Sequence, residues 1–175
     1  MRLIAVLVLL FAGTAQAQPP EPQGYRGAPY RAEVPATLKG ARVIGVDEAK
    51  ALHEGGVPFL DVMPRQKRPS DLPEGTIWNS PPHRSIPGAV WLYDTGYDRL
   101  APAEQARLEG GLLAATNKDK ARPVVIFCKT DCWMSWNAAK RAVGMGYTGV
   151  IWFPEGSDGW KQAGGVLEPA RAADP

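Results

Sequence analysis

Residues 124–142 read VVIFCKTDCWMSWNAAKRA. Val124, Val125, Ile126 and Phe127 form an apolar run with three β-branched members, the pattern of a buried strand rather than a helix start. Cys128 ends the run, a polar loop follows, and Trp136, Ala139 and Val143 then recur at the spacing of a helix face. Both cysteines of the chain, Cys128 and Cys132, lie in this stretch. A thiol at the C-terminal end of a buried strand, facing a helix N-terminus, meets unpaired N–H groups and the positive end of the helix dipole. Both lower its pKa and attract anions. Open α/β sheets bind their ligands at the same place.

Outward from this centre, strand and helix signals alternate. On the C-terminal side, Gly144 and Gly146 stop the helix, VIWF (150–153) reads as the last strand, and Pro154-Glu155-Gly156 turns into a short segment holding Trp160. On the N-terminal side, Pro102 is placed in the first turn of a helix that carries Leu108, Leu112 and Leu113. AVWL (89–92) and VPFLDV (57–62) read as strands. Val43 and Ile44 suggest another, followed by a helix over EAKALHE (48–54) with Asp47 as N-cap and Gly55-Gly56 as stop. The alternation predicts a single α/β domain with a mostly parallel sheet flanked by helices.

Residues 63–85 hold five prolines and many charges, a long loop for a compact domain. Trp78 is expected to anchor it. Residues 18–41 are proline-rich, lack an apolar period and read as an extended surface linker, with Tyr25 and Tyr30 as the side chains able to pack on the domain. Residues 1–17 read as a secretory signal: Arg2, the apolar run LIAVLVLLFAG and an Ala15-Gln16-Ala17 cleavage site. The run is short of the about 20 residues that a membrane span needs. The expected division is therefore signal 1–17, proline-rich segment 18–41, domain 42–168 and tail 169–175. Cleavage removes only Arg2 among the charged residues, so the net charge falls from +2 to +1. That balance argues against nucleic acid and anionic membrane as partners. The secretory reading places the protein in the periplasm, with its cysteines in an oxidising compartment.

Several segments, in order, resemble the rhodanese superfamily across about residues 43–164. VPFLDV resembles the family's strand ending in aspartate, and RSIPGAVWL its His-Ile-Pro-Gly-Ala segment, with Arg84 and Ser85 ahead of Ile86. VVIFC with its loop and Ala-rich helix resembles the active-site cysteine segment. GVIWFPEGSDGWKQAG resembles the closing strand and Gly-Gly-x-x-x-Trp segment, with Gly156 and Trp160 at matching spacing. The resemblance implies that Cys128 carries a persulfide, as in sulfurtransferases. The loop Lys129, Thr130, Asp131, Cys132, Trp133, Met134, Ser135 departs from the family pattern: it lacks an arginine, carries Asp131, and reaches Ser135 one residue late. Met134 stands where cysteine phosphatases place a phosphate-binding arginine, which argues against phosphatase activity. The Cys-x-x-x-Cys-Trp run is also similar to a small secreted rhodanese-like group named for a Cys-Trp motif and associated with PQQ-dependent alcohol catabolism. That group's motif has two residues between the cysteines, against Lys129, Thr130 and Asp131 here. This similarity implies an accessory role beside a periplasmic quinoprotein dehydrogenase or its transport system, with no cofactor bound by this chain.

Three uses of the cysteines stand side by side. In the first, Cys128 attacks a sulfane sulfur of a small sulfur-containing or thiol substrate, loop N–H groups and Lys129 stabilise the anion, and Cys132 resolves the persulfide. In the second, the pair performs thiol–disulfide or cofactor-binding accessory work, meeting across one helical turn where the Cα separation is about 6 Å. In the third, the bridge is inert. A closure of so few residues adds little entropic stabilisation, which favours a redox role over a structural one. Asp61 is expected either at the site or as a loop cap. Asp61 and Arg84 are placed at the mouth of the cysteine loop, because strand C-termini gather there. No metal is assigned: His53 is placed on the solvent face of the first helix, and a copper or zinc set of Cys128, Cys132 and His83 lacks any regular spacing. Amino-terminal sequencing of material secreted by a Gram-negative host should read from Gln18; a retained Met1 would refute the cleavage and the periplasmic placement together.

Overall fold

The computed structural model describes residues 18–173, so the expected signal and the last two residues of the expected tail lie outside the described residues. Strand β1 (Arg42–Val43) precedes helix α1 (Val46–Glu54), β2 (Phe59–Asp61), β3 (Arg84–Ser85) and β4 (Val90–Trp91). Then come α2 (Pro102–Thr116), β5 (Val124–Phe127), α3 (Trp133–Gly144), β6 (Val150–Phe153), α4 (Gly156–Gln162), β7 (Glu168–Pro169) and β8 (Arg171–Ala172). Six strands form a parallel sheet in the order β1-β6-β5-β2-β4-β8, and β3 pairs with β7 in a separate antiparallel ribbon.

Strand parity explains where the cysteine goes. Successive side chains of a strand point to opposite faces. Val124 and Ile126 pack with Leu108 and Leu112 of α2 and with Trp136, Ala139 and Ala142 of α3. Val125 and Phe127 pack on the other face with Ala49 of α1 and Trp160 of α4. Cys128 continues the parity of Val124 and Ile126 and joins the α3 side. All four β5 residues are buried, as the apolar run requires, each such side chain contributing about 1.5–3 kcal/mol.

Four sequence expectations are corrected. The N-cap of α1 is Gly45, and Asp47 lies in the first turn, where its charge suits the helix dipole without making a cap bond. Trp78 is only half-buried and neighbours Ile77, which is 88% exposed, so the long loop has no tryptophan anchor in the core. The segment 18–41 is no surface linker: Val34 and Leu38 enter the core, and the chain runs along α3. Its backbone is held by side chains of that helix. Arg26 N–H donates to Asn137 Oδ1 and Arg26 C=O accepts from Asn137 Nδ2, both at 2.9 Å, while Trp136 Nε1 donates to Thr37 C=O at 3.2 Å. The expected tail also extends the sheet, because β8 pairs in parallel with β4. Neither segment has an apolar period, so their docking follows from partners distant in sequence.

Gly156 ties the last crossover to the cysteine. Its φ is +53°, a left-handed conformation, and a Cβ added there would lie 2.3 Å from the Cys128 carbonyl oxygen. That carbonyl accepts the Ser157 N–H at 2.9 Å. Gly156→Ala should therefore cost about 1–2 kcal/mol in backbone conformation and about 1–3 kcal/mol in overpacking, read as a lower urea midpoint with unchanged slope.

Candidate functional site

Cys128 leaves β5 and is bridged to Cys132, the N-cap residue of α3, in a disulfide with a Cα separation of 6.2 Å. The separation matches that expected for one helical turn, but the path differs. The chain between the cysteines is a loop that reverses at Asp131, whose φ is +53°, so strand and helix are bridged directly. Thr130 Oγ1 donates to Glu155 C=O at 2.8 Å, which fixes the loop to the turn ahead of α4.

The pair is closed from solvent: Cys128 is 1% and Cys132 3% exposed. The proline-rich segment supplies part of the cover. Arg31 bridges to Cys132 in antiparallel fashion, Ala32 N–H donates to Asp131 C=O at 3.1 Å, and Trp133 N–H donates to Tyr30 C=O at 2.9 Å. The last bond uses an N–H at the start of α3 that sequence reasoning left free for an anion. Tyr30 is latched in turn, its hydroxyl donating to Asp98. That bond holds the Asp98 carboxyl below the ordinary carboxylate range, while burial, reinforced by Asp98, pushes the Tyr30 phenol up. The latch is thus fully present above the ordinary carboxylate pKa and is lost as pH falls through the lowered one. On the alkaline side it is fully present below the ordinary phenol pKa and is lost as pH rises through the raised one.

Other residues of the expected anion loop turn inward. Trp133, Met134 and Ser135 are all buried in α3. Ser135 Oγ donates to Cys132 C=O at 2.9 Å and accepts from Trp152 Nε1 at 3.0 Å. Trp133 packs edge-on to Trp136. These three are core residues that hold the helix start, because α3 begins immediately after Cys132. Lys129 remains at the solvent side, in the wall of a cavity of about 340 Å³ shared with Met63, His83, Arg84, Trp91 and Lys161. Arg84 lines the same cavity, and its guanidinium also donates to Leu167 C=O. A roomier groove of about 440 Å³ on α2 shares no residue with the cysteine loop.

Asp61 sits beside Phe127 in register and is 1% exposed. Its carboxylate accepts from Ser85 Oγ at 2.5 Å, from Met63 N–H at 2.9 Å and from His83 Nε2 at 2.7 Å. A carboxylate is an acceptor only, so the His83 proton lies on Nε2. Asp61 therefore holds the loop through three hydrogen bonds. Among the described residues no group of three His, Cys, Asp or Glu side chains is placed to hold a metal ion, so His83 does not join Cys128 and Cys132 in one set. His53 is not a solvent-facing residue: its Nε2 lies 2.7 Å from Pro87 C=O, and its ring is edge-on to Phe59 and Trp160.

Sequence reasoning missed Met63, whose Sδ lies 3.4 Å from Cys128 Sγ, and the shared role of His83 and Ser85. The second had a signal: residues two apart on an extended segment share a face, so both reach one acceptor. Met63 had none, because its place depends on Asp61 below it and on Trp91 Nε1, which donates to Met63 C=O at 2.6 Å.

Ala32→Pro removes one donor of the covering segment. A backbone hydrogen bond contributes about 1 kcal/mol, so local opening should rise about fivefold. Reduction of the disulfide by dithiothreitol should accelerate to the same extent, and an unchanged rate would show that this segment does not limit access.

A family model described as the rhodanese-like domain matches residues 46–163. Among solved structures, the chain is similar to the rhodanese-like domain of a protein from Anabaena sp., determined by solution NMR, with 20% identity and a TM-score of 0.46, over 75% of this chain and 87% of that one. A search of curated protein sequences finds no match. The matched span takes in β2, the cysteine loop and the Gly156 turn, and on that evidence this chain belongs to the rhodanese-like domain family.

Proposed function

We propose that the protein is a periplasmic sulfurtransferase in which Cys128 accepts sulfane sulfur and Cys132 resolves the persulfide. The observation that carries this reading is the disulfide between the strand-end cysteine and the cysteine that caps α3. In the reduced protein the Cys128 thiolate attacks the outer sulfur of thiosulfate or an organic persulfide. A Cys128 Sγ–S bond forms, the donor S–S bond breaks, and sulfite or a thiolate leaves with the electron pair. The Cys132 thiolate then attacks Cys128 Sγ and expels hydrosulfide, which leaves the disulfide. An external dithiol restores both thiols and is itself oxidised. Lys129, Arg84 and Lys161 outnumber Asp158 in the cavity wall, and the balance favours an anionic donor. An accessory role beside a quinoprotein dehydrogenase in PQQ-dependent alcohol catabolism, or beside its transport system, completes the proposal and rests on the Cys-Trp resemblance.

A second reading is thiol–disulfide exchange without sulfur transfer. The burial of both cysteines and the occupied Trp133 N–H favour it, since the loop then offers one donor fewer to an anionic donor molecule.

Mass spectrometry after exposure of reduced variants to thiosulfate and to glutathione persulfide separates the two. Cys132→Ser should retain one added sulfur on Cys128, and Cys128→Ser should retain none. An adduct found first on Cys132 reverses the roles. Mixed disulfides with oxidised glutathione, but no added sulfur from either donor, would support the second reading.

A further inference from the structure

We propose that the reduced protein binds one copper(I) ion through Cys128, Cys132 and Met63. Three sulfur atoms converge at the end of β5: the two bridged cysteine sulfurs and Met63 Sδ, in contact with Cys128 Sγ at 3.4 Å. Thiolate and thioether donors select copper(I), whereas structural zinc is held by four nitrogen, oxygen or sulfur ligands. Among the described residues no His, Asp or Glu side chain joins the two cysteines in a metal-binding group.

The donors are fixed from behind, as metal ligands are in sites that hold their ion well. Met63 is pinned at both backbone groups, its N–H on Asp61 Oδ1 and its C=O on Trp91 Nε1. Cys128 is held through its carbonyl by Ser157 N–H, and Cys132 by its bridge to Arg31. Met63 and Lys129 also line the cavity of about 340 Å³, which gives an ion a way in from solvent. Two thiolates and one copper(I) ion leave one net negative charge at the N-terminal end of α3, where the helix dipole stabilises it.

The chemistry balances with a dithiol as reductant. The dithiol passes two electrons and two protons to the Cys128–Cys132 bond and becomes a disulfide. Copper(I) then displaces both thiol protons to solvent, bonds to both Sγ atoms and takes Met63 Sδ as third donor, with no change in its own oxidation state. An external disulfide that takes two electrons from the pair is reduced to two thiols, re-forms the Cys128–Cys132 bond and releases the ion, so the cysteines serve as ligands only in the reduced state. The site uses the same cysteines as sulfur transfer but does not depend on it.

The test uses the full secreted chain, reduced and kept anaerobic, titrated with copper(I) against bicinchoninate. Wild type should take one equivalent. Met63→Leu should weaken binding by at least about tenfold, the loss that disturbing even an outer-shell partner produces. X-ray absorption of the selenomethionyl protein should show a copper–selenium neighbour in wild type and none in Met63→Leu. Circular dichroism and thiol counts establish that the variant folds and still forms its disulfide. Should Met63→Leu not fold, the wild-type selenium measurement carries the test alone. Failure to compete with bicinchoninate, absence of the selenium neighbour, or a folded Met63→Leu that binds as tightly as wild type would each overturn the site. Copper uptake without acceptance of sulfane sulfur would support this site and refute sulfur transfer; the reverse result would do the opposite.

Discussion

A buried carboxylate organises the site. Asp61 ends a central strand with almost no access to water, and a lone ionised group there would cost several kcal/mol. Its three hydrogen-bond partners offset that cost, and each partner fixes something the site needs. The Met63 N–H turns the chain sharply after β2 and brings the thioether onto Cys128. Ser85 and His83 bring the far end of the long proline-rich loop back to the sheet. The His83 ring then lies against Trp91 at 4.4 Å between centroids, and Trp91 in turn holds the Met63 carbonyl. Removing the carboxylate would release strand end, loop and methionine together, whereas losing any one partner leaves two others in place.

The second constraint is the segment ahead of the domain. N–H groups left free at a helix start lower the pKa of a nearby thiol and hold anions. Here one of those groups is spent on Tyr30, and the cysteines are buried beneath a closed bridge. The bridged pair is the oxidised form. Both proposed uses of the cysteines begin with reduction, and reduction needs the cover to open. Its attachment is graded: Val34 and Leu38 are embedded in the core, while the stretch over Cys132 is held by single backbone bonds and the Tyr30 latch. Local opening at that stretch costs far less than global unfolding.

How much of this is legible in the sequence varies element by element. The apolar run at 124–127 could only be an interior strand, and the run at 150–153 its neighbour, because four adjacent apolar residues need cover on both faces. Pro102 was readable as a helix start because a proline is tolerated in a first turn. The cysteine at the strand end followed from order along the chain. The inward turn of Met134 and Ser135 did not: both are ordinary at a helix start, and the side that they face depends on where α3 lies over the sheet.

The sequence by itself determined the fold class, the order of elements, and the meeting of both cysteines at one strand end, since these depend on local periodicity and short spacing. Only the tertiary structure decided that Met63 touches Cys128, that Asp61 gathers His83 and Ser85, and that residues 18–41 cover the pair. Those contacts join residues from Tyr30–Trp133 to Cys128–Met63 across long stretches of chain, through backbone groups that every residue carries and side chains with no period. Local pattern records which face of an element is apolar; it holds no information about which distant backbone will satisfy a helix start or which thioether will fill the space beside a thiol.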